Sequence, residues 1–558
     1  MAHRLLVLAI VVELSLPAQV VSSLTPQSPA FPSSQYFKQQ WRRPPLEVDL
    51  SPPLRLEDYV ASGKLELSLR SYIELVMANN TDVALQKLTV YTAKNAIERA
   101  FAPFDPAFVG SFNTSRSNTP SNDLLAGASV VSNLSQRANF NYLQTMETGT
   151  QYQVGFLGSK TANNSAFTNF NPSIQSNLQV QITQPLLRNR GAYVNRIPVL
   201  VARSRLRASE ADVRDRITLL LSQAENAYWD VIDAREALQV RQKSLELADA
   251  FLKRSRRELE LGAISPLEIF QPEQQFATAQ VGVTLAEYRL KQREDALRKW
   301  IGADLNPAIR RLPIVLTETV LAATDSVLID TDEAIEKALR LRPEIESSRF
   351  NTDVADLQIQ SATNRLRPDL SLTGNYTSQG RGGNFFQRTF AGATGVGSTP
   401  TSITVIPGGF TDAVNQLFNF NFPVYGFSLN LRLPLRDHQA SADLADAALA
   451  KKREMLSLRN LEQRIRLEVL NALSGVEQSR AGIRQATVAR DFAQKRLDAE
   501  QKRYELGVSQ IFLVLQAQTD LTTAESELLT QSIAYRRNLI SLLQVTGELL
   551  NERSVVIQ

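Results

Sequence analysis

The segment Arg257–Gln271, RELELGAISPLEIFQ, and the segment Arg503–Gln516, RYELGVSQIFLVLQ, are two writings of one pattern. In each, a long charged helical stretch runs to Leu-Gly, stops, and restarts two or three residues later. Gly262 and Gly507 stand where a helix C-terminus takes a left-handed residue, a conformation that a side chain penalises. In the first copy Ser265, Pro266 and Glu268 follow in the order of an N-cap, a first-turn proline and a capping-box acid. In the second, Ser509 can cap, but Phe512 replaces the acid. Each copy reads as the tight tip of a helical hairpin.

The repetition extends in both directions. The offset that aligns Gly262 with Gly507 also aligns Asn226 with Asn471, Arg235 with Arg480, Ala248 with Ala493 and Gly302 with Gly547. A slightly larger offset aligns Ile73 with Ile335, Asp82 with Glu344, Ala93 with Ala355 and Pro106 with Pro368. The chain is therefore a tandem duplication, with an insertion or deletion between the first proline and the long helix. Its segments divide as a leader over 1–23, a proline-rich extension over 24–66, a first repeat over 67–302, a connecting segment over 303–329, a second repeat over 330–547 and a tail over 548–558.

Composition removes several function classes. There is no cysteine, and the two histidines are His3 and His438, so thiol chemistry, disulfides, and zinc or histidine-based sites lack material; no cofactor or metal is expected. A net charge of +4 over 558 residues does not indicate nucleic acid. No nucleophile–base set or phosphate loop is present, which argues against an enzyme, and Asp230 and Asp233 read as solvated acids on a charged helix. Met1–Ser23 has a basic start, an apolar run over Leu5–Val12 and small residues near Ala18 and Ser22, the form of a signal peptide. The run falls short of the roughly 20 apolar residues of a membrane span.

Helical pattern starts at Ser68 and at Asp330, both plausible N-caps, and stops at Pro103–Pro106 and at Arg367-Pro368. After each stop the period becomes two: Ala107–Asn113 and Leu370–Tyr376 lead out, and Leu178–Thr183 and Phe427–Leu433 return, ending at Pro185-Leu186 and Pro434-Leu435. The stretches between, including Thr114–Arg137 and Gly380–Gly409, are rich in Asn, Ser, Thr and Gly and read as long exposed loops. Further alternating material, Ala138–Gln144 and Tyr152–Leu157, has no assigned place.

Long helices are expected over Gly191–Glu260 and Arg436–Glu505, and shorter ones over Ser265–Trp300 and Ser509–Val545. At 1.5 Å per residue the long ones reach about 105 Å, so two short helices stacked end to end can run beside one long helix. A seam of Ala227, Val231, Ala234, Leu238, Arg241, Leu245, Ala248, Leu252, Ser255 and Leu259 has coiled-coil spacing, and its alanines allow close approach. In a bilayer, strands cross only as closed barrels of about 8 strands or more. The four strands read from this chain cannot close alone, so the barrel is shared between chains, with the helices continuing it as an α-helical tube. A secreted periplasmic coiled-coil or adaptor protein without a pore is the alternative.

The residues resemble the TolC family of bacterial outer-membrane efflux proteins from Ser68 to Gly547. The resemblance rests on the twice-written tip with Tyr504, Leu506-Gly507, Ser509, Leu515-Gln516-Ala517-Gln518 and Ala524-Glu525, on the Gln184-Pro185-Leu186 turn, and on Pro106 and Pro368. It implies a mainly α protein with β, a homotrimer with a 12-stranded outer-membrane barrel among the membrane lipids, and a 12-helix conduit in the periplasm. It also implies a periplasmic adaptor and an inner-membrane pump, proton-driven or ABC type, as partners in efflux or type I secretion. The tips Gly262, Ala263, Ser265, Gly507, Val508 and Ser509 are the candidate adaptor-docking surface. Glu268, Leu513, Leu515 and Gln516 are the candidate periplasmic constriction. The family carries acids six and nine positions after the second glycine, where this chain has Leu513 and Gln516, so a cation-selecting acidic ring is not expected there.

Overall fold

The structure is a computed structural model that describes residues 53–121, 128–165, 168–262, 264–319, 330–389 and 402–555. The leader, most of the proline-rich extension and Ala263 lie outside the described residues, as do parts of the two stretches read as loops.

Ahead of the first repeat lie β1 (Val60–Ala61) and β2 (Lys64–Leu67), and the repeat itself begins with α1 (Leu69–Asn79) and α2 (Thr81–Phe101). Four strands follow, β3 (Ala107–Pro120), β4 (Val130–Thr145), β5 (Gln151–Asn163) and β6 (Ser173–Pro185), then the 64-residue α3 (Ile197–Glu260) and α4 (Phe270–Trp300). Beyond β7 (Ile314–Leu316), the second repeat holds α5 (Thr331–Leu341), α6 (Pro343–Arg365), β8 (Asp369–Gly382), β9 (Phe385–Thr389), β10 (Ser402–Ile406), α7 (Phe410–Phe418), β11 (Phe422–Arg432), the 68-residue α8 (His438–Glu505) and α9 (Ile511–Thr546).

The expected caps are in place: Ser68 accepts from the Ser71 amide and Asp330 from the Asp332 amide. The first helical segment is nonetheless two helices, because Asn80 takes an extended backbone and caps α2 through the Asp82 and Val83 amides. The same side chain donates to the Trp300 carbonyl at the end of α4, 3.1 Å away. Thus α4 and α2 meet end to end, as the length arithmetic requires. In the second repeat Gly547 abuts Leu341 and Arg342, where α9 meets α6. Gly302 and Gly547, the repeat-related residues at these joints, are both left-handed, with φ of 70° and 78°. Val231, Ala234, Ala248, Leu252 and Ser255 of the seam are buried, and among its ten residues only Arg241 is exposed.

The strand count differs from the expectation. Among the described residues one antiparallel sheet runs β11-β8-β6-β5-β4-β3, six strands rather than four. The expected outgoing and returning strands are β3, β6, β8 and β11. The unplaced segments Ala138–Gln144 and Tyr152–Leu157 belong to β4 and β5, which form a hairpin between β3 and β6. The stretch Thr114–Arg137 is largely strand: Thr114 pairs with Gln136 and Pro120 with Val130. Polar side chains hid it, because a wall with one wet face needs apolar residues only at alternate positions.

Midway along α3 a core gathers around Tyr228 and Trp229. The three-stranded sheet β1-β2-β7 packs there, so residues 56–66 of the proline-rich extension fold onto the helices. The Tyr228 hydroxyl donates to Leu67 O at 3.1 Å and meets Glu318; burial, followed by that acid, raises its pKa far beyond the usual range. Asp230 is not simply solvated: it holds Arg293 of α4 and Arg537 of α9. Glu225, 1% exposed, takes a two-pronged bond from Arg553 in the C-terminal tail, at 2.6 and 3.1 Å. Removing one member of such a pair strands a charge. Arg553→Ala is expected to lower the stability of the helical region by about 3 kcal/mol, read from thermal unfolding followed by circular dichroism, and Glu225→Leu/Arg553→Ala to recover most of it. A change within about 0.5 kcal/mol for the single variant would refute the argument.

Candidate functional site at the sheet wall and the helical tips

The register of the six strands sorts their side chains onto two faces. One carries Phe108 and Phe112 of β3, Phe140 and Tyr142 of β4, Val154 and Phe156 of β5, Val180 and Ile182 of β6, Leu370 and Leu372 of β8, and Phe427, Leu429 and Leu431 of β11. The other carries Asn139 and Asn141, Gln153 and Ser159, Gln179 and Gln181, Thr373, Asn375 and Thr377, and Ser428 and Asn430. An apolar outer face with a polar inner face is what a membrane barrel around an aqueous lumen requires.

This wall is not closed. Among the described residues, β3 and β11 each have a strand partner on one side only, and every residue of both strands is exposed. An open row of backbone donors and acceptors cannot remain in hydrocarbon. With six strands alternating in direction, β11 of one chain runs antiparallel to β3 of another, so copies can join edge to edge without breaking the pattern.

At the opposite end of the long helices, Gly262 and Gly507 are left-handed, with φ of 71° and 75°. At Gly507 the Val508 amide donates to Arg503 O and the Gly507 amide to Tyr504 O, both at 3.0 Å, a Schellman closure. Nothing lies within 4 Å of where a Cβ would stand on either glycine, so only backbone conformation calls for glycine there. Leu261, Leu506 and Val508 are more than 70% exposed around the turns.

The sequence-predicted capping box is absent. Ser265 accepts from the Leu267 amide at 3.3 Å, Glu268 lies exposed in the turn, and α4 starts only at Phe270. Ser509 does not cap α9 either. Its hydroxyl donates to Glu500 at 2.8 Å, and that bond is the chief cause holding the Glu500 carboxyl below its usual range. Of the constriction candidates, Gln516 and Glu268 are exposed, Leu513 is half-buried, and Leu515 is buried in a cluster with Phe251, Leu497, Ile511 and Leu521. Leu515 therefore belongs to the packing between hairpins and not to an opening. Ala517 and Gln518 of the same motif are also buried, so part of that motif is core.

Sequence reading missed a polar contact that joins the two hairpins near their tips. Tyr504 of α8 donates to Glu258 of α3 at 2.6 Å, Arg254 bonds Glu258 at 2.8 Å and Glu505 at 3.3 Å, and the Arg254 guanidinium lies 5.2 Å from the centre of the Tyr504 ring. Burial, then the bond to Glu258, raises the Tyr504 pKa well above normal and keeps the hydroxyl a donor. The only local trace was Arg254 and Glu258 one helical turn apart.

The sequence pattern of the family described as outer membrane efflux protein matches residues 72–303 and 334–548. The pyoverdine export outer membrane protein OpmQ of Pseudomonas aeruginosa is 23% identical over 357 residues, 62% of this chain, and the match spans 65% of that relative's length. The outer membrane efflux protein BepC of Brucella suis is 22% identical over 442 residues, covering 75% of this chain and 82% of the relative. The crystal structure of CusC shares the fold at a TM-score of 0.61 and 16% identity, over 89% of this chain and 97% of that one. With both repeats matched and the two-faced wall set on paired helical hairpins, the chain belongs to the outer membrane efflux protein family.

Proposed function

We propose that three copies of this chain form the exit duct of a tripartite efflux or type I secretion system, passively conducting substrates from the periplasm across the outer membrane. The observation that carries this reading is the six-stranded, two-faced sheet with both edges open. Six strands are too few for a barrel, whereas three copies bring 18, an even number within the known range. The TolC resemblance implies 12 strands, and the six in this chain's sheet are what carry the proposed count to 18. Four helical columns per chain, α3, α8 and the stacked pairs α4/α2 and α9/α6, provide 12 in the trimer. A helix of 64 residues spans about 96 Å, so this tube reaches deep into the periplasm.

The tips are the natural docking surface for a periplasmic adaptor, which couples the duct to an inner-membrane pump of the proton-driven or ABC type. Helix ends leave backbone groups without intrahelical partners, and the exposed Leu261, Leu506 and Val508 place apolar surface beside them. The duct filters by size and charge while the pump selects cargo. Exposed Gln516 and half-buried Leu513 leave the second-repeat constriction without an acidic ring.

Three measurements test the reading. The detergent-extracted particle is expected to have the mass of three chains; a stable monomer would overturn the shared barrel. Ser129→Cys, at the far end of the β3–β4 hairpin and in a chain with no native cysteine, should react with an impermeant thiol reagent on intact cells while Gly262→Cys does not; the reverse pattern would invert the orientation. Gly507→Val strains a left-handed turn by about 1 kcal/mol or more, too little to unfold a long coiled coil, so export and adaptor crosslinking should fall with trimer assembly intact. Wild-type crosslinking and export in the inserted variant would remove the tip from the docking surface.

A further inference from the structure

The nine-residue helix α7, FTDAVNQLF, lies on the apolar face of the sheet. Ser378, Gly380 and Gly382 of β8, and Ser176 of β6, share the face of Leu370, Leu372, Val180 and Ile182. The Ser176 hydroxyl donates to Ala413 O at 2.8 Å and the Ser378 hydroxyl to Leu417 O at 2.7 Å. A Cβ on Gly380 would run into the Ala413 carbonyl, and one on Gly382 into the Gly409 carbonyl. Small residues thus replace the large apolar ones of the lower wall where the helix beds down. Ala413 and Leu417 are buried against the sheet, while Phe410, Phe418 and Phe420 remain 54%, 59% and 47% exposed.

The height of α7 follows from the strands. β8 leaves the helical domain at Asp369, and about ten residues at roughly 3.4 Å each, tilted by about 40°, climb about 25 Å, the height of a barrel's apolar band. Ser378 to Gly382 therefore stand at the outer rim of the band. The end of α7 adds a second observation. The Asn421 amide donates to Gln416 O and the Phe420 amide to Leu417 O, the same closure as at Gly507 and Gly547. Here the left-handed residue, with φ of 53°, is Phe420. A bulky side chain in that conformation is disfavoured, so the aromatic ring is retained against a local cost.

We infer that α7 is an interfacial helix whose Phe410, Phe418 and Phe420 enter the boundary between headgroups and acyl chains of the outer leaflet. Amphipathic helices with exposed phenylalanines lie in that plane, and the surface that α7 occupies continues the lipid-facing wall without a break. This rests on the outer-membrane duct proposed above. The partner is the lipid surface; a second copy seated on the helix is the competing occupant.

Nitroxide labels on Phe410→Cys and Phe418→Cys of the full-length protein, reconstituted in phospholipid vesicles, give the test. Collisions with oxygen report lipid and collisions with a nickel chelate report water. Ile182→Cys on the apolar face and Gln179→Cys on the polar face serve as references. Both α7 labels are expected to lie on the Ile182 side of the midpoint between the references in their oxygen-to-chelate ratio. Chelate-dominated labels, like Gln179, would overturn the inference and leave the duct standing, and so would labels shielded from both agents by a neighbouring copy. References that fail to separate would overturn the orientation of the wall, and the inference with it.

Discussion

Hydrocarbon offers no partner to a backbone amide or carbonyl, and this constraint governs the molecule. Among the described residues six strands satisfy one another across five ladders and leave β3 and β11 with one open side each. In the proposed duct, further copies of the chain complete them. In that duct the polar face of Asn, Gln, Ser and Thr would enclose water and the apolar face would meet lipid. An even number of strands per chain lets that closure stay antiparallel throughout.

The helical part transmits the same architecture away from the membrane. Each repeat sets one long helix beside two shorter ones stacked end to end. The joints are built by Asn80, which caps α2 while bonding the end of α4, and by Gly302 and Gly547, which turn the chain in tight quarters. Alanines in the α3 seam keep the columns close. The core around Tyr228 and Trp229, bound by β1, β2, β7 and the C-terminal Arg553, holds both repeats to one another at mid-height.

Toward the tips the packing thins to the cluster around Phe251 and Leu515 and to the polar contact of Tyr504, Glu258 and Arg254. Side chains that a sequence motif suggests for an opening are divided by the fold. Leu515, Ala517 and Gln518 face the neighbouring helices, and Gln516 faces solvent. A motif on a helix spreads its residues around the axis, so its members cannot all serve one surface.

The sequence by itself determined what depends on neighbours along the chain. The duplication, the long helices, the caps at Ser68 and Asp330, the proline stops and the left-handed glycines at 262 and 507 all follow from local chemistry and repetition. Tertiary structure alone decided the rest. The polar residues 114–120 and 130–137 became strand because β3 and β4 pair with each other, and β4 and β5 found their place only between β3 and β6. Glycines read as loop became the bed of α7, Ser509 left the capping role to bond Glu500, and Tyr504 met an acid 246 residues away. Each of these depends on which surfaces meet, and pairing between distant segments leaves no periodicity in either segment read alone.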